Sequence, residues 1–138
     1  MTTPTHRRPW LGLAVALILA LAVGCSAPGE PVKIVALDLT HELDAKNQPR
    51  SPRETFAPTS TVYAAIETEG SGPATLAAKW TDDAGTVLAD QKQEIDPSDT
   101  GHFEFHHQPE SGEWALGRYK VIVTLNGGGA RTREFEIR

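Results

Sequence analysis

The chain has 138 residues, 39% of them hydrophobic, a formal net charge of −5 and a single cysteine. The acidic balance argues against a nucleic-acid ligand and against a polybasic grip on anionic lipid heads. One cysteine excludes an internal disulfide, so any core must stand on packing alone.

His6, Arg7 and Arg8 precede an uncharged apolar run from Leu11 to Val23, and Ala22-Val23-Gly24 set small or apolar residues before Cys25. A basic start, an apolar centre and small residues at a cut site are the three parts of a secretory signal. The run is short for a membrane span, which needs about 20 residues. Arg7-Arg8 is a weak twin-arginine feature, and Pro9 with the apolar stretch behind it favours general secretion.

The last four residues of Leu11–Cys25 (LGLAVALILALAVGC) resemble the lipobox of bacterial lipoproteins, with Ala22 where leucine is commoner. The resemblance implies a signal peptide over 1–24 that is removed, a diacylglycerol on the Cys25 thiol and an acylated new amine. Ser26 is not the aspartate that typically holds such lipoproteins at the inner membrane. The implied address in a two-membrane cell is therefore the outer membrane, with the domain in the periplasm. Arg7 and Arg8 leave with the signal and no acid does, so the charge of −5 becomes −7 over 114 mature residues. That length suits one domain. Attachment then rests on the acyl chains at Cys25. Residues 25–31 form the lipidated tether, short enough to keep the domain within about 20 Å of the bilayer. Residues 32–138 form the domain.

From Val32 onward the pattern is that of strands, with Gly, Pro and Asp punctuation and no period of 3.6. Val32–Thr40 is the first strand. His41–Ala57 is a polar, proline-broken loop with a short helical turn expected near His41–Ala45. Thr61–Thr68 alternates, Gly70–Pro73 turns the chain, and Ala74–Thr81 alternates again to bring Leu76 and Trp80 together. Asp82–Gly85 reads as a hairpin turn leading to Thr86–Ile95, a more polar edge or bulged strand. His102–His107 alternates aromatic and polar residues. Gln108–Gly117 is a loop, and Arg118–Leu125 is the cleanest strand. A five-residue loop at Asn126–Ala130 returns into Arg131–Arg138, with Val121 facing Phe135, Tyr119 facing Ile137 and Lys120 facing Glu136.

Seven strands without a helix predict an all-β, antiparallel two-sheet sandwich. Its core is expected from Val62, Ala64, Ile66, Leu76, Trp80, Phe103, Phe105, Tyr119, Val121, Val123, Phe135 and Ile137. Leu116-Gly117-Arg118-Tyr119 resembles the tyrosine corner of immunoglobulin-like and fibronectin-like sandwiches, and Trp80 resembles their core tryptophan. That resemblance is architectural and carries no activity.

No G-x-S-x-G surrounds a serine, and Gly127-Gly128-Gly129 lacks the lysine and helix of a phosphate loop. Asp82-Asp83 and Asp96 to Asp99 fall at turns, where aspartate accepts local backbone hydrogen bonds. His102, Glu104 and His106 share the outer face of one strand and are the candidate zinc or copper ligands. His102 and His106 lie roughly 13 Å apart along the strand, too far for one ion to hold both. Trp114 is either a plug for the open end of the sandwich or an exposed anchor for a partner. The long 41–57 loop is a further candidate contact surface. The expectation is a binding or accessory module for another envelope protein or surface ligand, not an enzyme, needing no cofactor. The alternative is a periplasmic metal-handling lipoprotein using His102–His107.

Overall fold

The computed structural model describes Thr2 and residues 29–138. Cys25, the 1–24 signal and most of the tether lie outside the described residues. No helix among the described residues is long and apolar enough to cross a membrane.

The described residues fold as an all-β sandwich of eight strands: β1 (Lys33–Thr40), β2 (Thr55–Phe56), β3 (Val62–Glu69), β4 (Ala74–Asp82), β5 (Val87–Ile95), β6 (Gly101–His107), β7 (Gly117–Leu125) and β8 (Gly128–Ile137). One sheet has the order β1-β3-β6 and the other β2-β8-β7-β4-β5. The strand beyond the expected seven is β2, two residues inside the polar 41–57 stretch. It pairs parallel with β8, Thr55 beside Glu136 and Phe56 beside Ile137, the one parallel pairing in an otherwise antiparallel fold. Burial of Phe56 edge-on to Phe135 drives it there.

All the expected core residues are buried except Phe103, which is only partly covered. Ile34, Leu37, Leu39, Phe56, Ala74, Ala78, Ile95 and Trp114 join them. Two bulges shape the edges. In β1, Ile34 pairs with Thr68 and Ala36 with Glu67, so Val35 is the extra residue and both Ile34 and Leu37 reach the core. In β5, Leu88 is extra between Val87 and Ala89, twisting an edge strand already lined by Asp90, Lys92 and Glu94. Charges and a bulge on an edge discourage pairing with another chain.

The last hairpin differs from the expected register. Asn126 and Gly127 both take positive φ, 50° and 77°, and make the two-residue turn that matches strand twist. Asn126 is held there by its backbone N–H donating to Thr75 O at 2.8 Å, while its side-chain Oδ1 accepts from Thr75 N at 2.9 Å. The shorter turn alone would slip the register by three residues, but an irregularity between Val123 and Leu125 leaves one extra residue on β8, so Tyr119 pairs with Phe135, Lys120 with Glu134 and Val121 with Arg133. The net slip is two residues, so Tyr119 and Val121 keep the same face as Phe135 and Ile137 while their partners change. Ala130 to Glu134 are exposed, leaving little buried side chain there to oppose the turn's preference. Arg131 instead reaches across the seam, Nη2 donating to Ile34 O at 2.8 Å.

The pairings sort the connections to two ends. The turn end gathers the β3–β4, β5–β6 and β7–β8 connections. The loop end gathers residues 50–61, 83–86 and 108–116, while the hairpin over 43–49 folds back along the small sheet toward His102.

Phe105→Ala should cost about 3–5 kcal/mol through an unfilled cavity, and Phe103→Ala clearly less, because its ring is only partly buried. Urea denaturation of the two variants checks this; equal losses would contradict the packing described.

Candidate functional site

The loop end is built around aromatic rings. Trp114 has 3% of its surface exposed, with edge contacts to Tyr119 at 5.0 Å, His107 at 5.2 Å and Phe135 at 5.5 Å between ring centroids. Its indole N–H donates to Ser60 O at 2.8 Å and its backbone N–H to Pro58 O at 2.8 Å. Gln108 ties the same loop down, its amide nitrogen donating to Thr59 O and Gly112 O. Trp114 is therefore the plug of the sandwich, the first of its two expected roles, and the alternative of an exposed partner anchor is corrected. An indole with an internal partner gains more by filling this end than by facing water. Leu116, two residues on, is the exposed apolar side chain of that loop, at 73%.

The tyrosine corner is present: Tyr119 Oη donates to Ala115 O at 2.7 Å, and its ring stacks on Phe135. Burial pushes its phenol above the ordinary value, and nearby Asp82 adds to the shift.

On β6 the structure brings Glu104 and His106 together and leaves His102 apart. His106 Nδ1 lies 2.9 Å from Glu104 Oε2. His102 Nε2 meets Gln48 Nε2 at 3.1 Å, so the 41–57 loop folds back onto this strand. Among the described residues, no group of three or more His, Cys, Asp and Glu side chains is placed to hold a metal ion.

The same loop has no helical turn at His41–Ala45. It is a small hairpin in which Leu43 bridges Pro49 and Asp44 Oδ1 accepts from Lys46 N and Gln48 N. Those backbone donors hold the Asp44 carboxyl below the usual carboxylate range. Buried Thr40 anchors the hairpin base, its hydroxyl donating to Arg50 O and accepting from Glu42 N.

Sequence reasoning overlooked His107, although alternation from Phe103 and Phe105 puts it on the inner face. Its ring lies between Trp114 and Trp80, 5.9 Å from the latter. Burial holds this imidazole below the ordinary value of 6.5, and charge on His106 contributes second.

Asp82 serves its turn as expected, Oδ1 accepting from Thr86 N at 2.8 Å. It also borders a cleft of about 340 Å³ with Glu54, Asp83, Arg118, Lys120 and Glu134. This cleft is open and mixed in charge.

No family model and no curated protein matches the chain. Solved structures do. A β-glucosidase from Erythrobacter marinus aligns at a TM-score of 0.55 and 8% identity, over 78% of this chain and 15% of that one. An alkylpurine DNA glycosylase from Pseudomonas fluorescens, bound to DNA containing an abasic-site analogue, gives 0.48 and 18%, over 78% and 30%. A Listeria innocua β-glucosidase in complex with gluconolactone gives 0.49 and 10%, over 79% and 16%. The chain thus spans less than a third of each of these proteins. At such identities the likeness concerns the fold alone. It nevertheless corrects the expectation that the chain is not an enzyme. The Erythrobacter marinus β-glucosidase carries this fold within an enzyme, so the fold gives no ground for that exclusion, and it is not retained.

Two outcomes are expected. Trp114→Ala should cost about 3–5 kcal/mol of stability, read by thermal or urea unfolding; a variant as stable as the parent would remove the plug. Because the His107 pKa is depressed in the fold, its contribution is fully present above pH 6.5 and is lost as pH falls from there toward the folded value. A pH series of urea midpoints should show that loss, and His107→Gln should flatten it.

Proposed function

We propose that this chain is a lipid-anchored envelope lipoprotein whose sandwich serves as a binding or accessory module for another envelope protein or surface ligand. The observation that carries the reading is the position of Cys25. The chain's one cysteine closes the apolar Leu11–Val23 run, and the first strand begins at Lys33. A domain that folds without cysteine leaves this thiol free for one purpose. Diacylglycerol plus an amine-linked chain gives more than one hydrophobic anchor, which is what stable attachment requires. Ser26 supports the outer membrane as the address, with the domain on the periplasmic side.

The binding role is supported by the loop end, where the 108–116 loop is pinned by Trp114 and Gln108 yet leaves Leu116 exposed. A rigid loop with an outward apolar side chain loses little entropy on contact.

Cys25→Ala should block palmitate labelling and leave an unprocessed precursor. Labelling and membrane fractionation of the variant in cells check this. A variant still labelled and still fractionating with the outer membrane would defeat the proposal.

A further inference from the structure

We propose that the turn end of the sandwich faces the membrane and that the loop end is held away from it. This rests on the anchor proposed at Cys25 and adds which surface the anchor leaves free. The chain enters the fold at the turn end. Ser71 N donates to Glu30 O at 2.9 Å, and Gly70 sits so close to Pro31 that a Cβ there would fall 2.4 Å from its carbonyl oxygen. The other turns are tied to this one: Gly72 N donates to Pro97 O at 3.0 Å, and Asn126 is locked to Thr75 by two hydrogen bonds. The tether thus emerges from a fixed platform of three turns.

Five residue steps separate Cys25 from Glu30, at most about 18 Å of chain. The strands then carry the loop end a further 25–30 Å or so away.

At the turn end, charge and exposure provide nothing that would adhere to a bilayer, so the tether alone brings that end toward it. Glu30, Glu69, Glu94, Asp96 and Asp99 surround the platform, against Lys33 and Arg131, and Lys33 is already paired with Glu69 at 3.4 Å. Anionic lipid heads repel such a surface over a Debye length of about 8–10 Å. The large apolar side chains exposed among the described residues are Val87, Leu88 and Leu116. They start β5 and precede β7, so all three belong to the loop end. Among the described residues, no large apolar side chain is exposed to that degree at the turn end.

Acylation consumes the Cys25 thiol, so one introduced cysteine is the only labelling site on the mature lipoprotein. Ser98→Cys and Thr100→Cys mark the turn end; Ala84→Cys and Glu110→Cys mark the loop end. All four positions are exposed. Each dye-labelled lipoprotein is reconstituted into phosphatidylcholine vesicles carrying a headgroup energy acceptor. Transfer should be several-fold greater from Ser98→Cys and Thr100→Cys than from Ala84→Cys and Glu110→Cys. One dye per chain with equal or reversed transfer overturns the orientation alone. Two dyes per chain would show a free Cys25 thiol, overturning the anchor and the orientation with it.

Discussion

The indole N–H of Trp80, on the strand next to the edge of the larger sheet, is buried and has one partner, the Gln91 amide oxygen at 2.9 Å. The nitrogen of that amide donates in turn to His106 O, at 2.9 Å, on the edge of the other sheet. An indole N–H buried without an acceptor costs a few kcal/mol. One glutamine satisfies both the indole and His106 O, but only when β5 stands in register beside β4 and the two sheets are correctly stacked. The Leu88 bulge lies just beyond Ala89, the residue opposite Trp80, so edge twist and indole partner are set within a few residues.

The opposite margin is closed differently. There β1 and β8 approach without pairing, and Arg131 spans the gap to Ile34 O. Nearer the loop end, the chain itself crosses: Arg53 N donates to Leu39 O in the small sheet, and Glu136 N donates to Glu54 O in the large one. The two-residue strand β2 is thus less a sheet element than a strap. It carries Phe56 under Phe135 and fastens the aromatic end on which Trp114, His107 and Tyr119 converge.

What the sequence made legible were features with a local cause. Period-two alternation marks β3, β4, β6 and β7, and their buried faces follow from it. The tyrosine corner could be anticipated from Tyr119 at a strand start, and the edge character of β5 from its polarity. Features set by distant partners were not legible. The β1 bulge at Val35 breaks alternation without any glycine to announce it. Phe56 lies in a stretch whose prolines and charges speak for a loop, and only Phe135 and Ile137, some eighty residues away, make it a strand. The final register turned on which glycine pairs with Asn126, and a run of three offered several answers. At the candidate site, Trp114 had two destinations, and the choice depends on Ser60 and Pro58 as acceptors, which strand patterns do not reveal. His107 was legible, since alternation from Phe103 and Phe105 places it on the inner face.

Phe135 and Ile137 come from β8, the last of the eight strands to be made, yet the cluster at the loop end cannot form without them. Their partners Phe56 and Trp80 precede them by more than fifty residues. No early part of the chain can therefore settle into a stable piece while the rest is still being delivered. Long-range β pairing of this kind closes in milliseconds to seconds rather than microseconds. The chain therefore stays extended and uncommitted until its final strand is available.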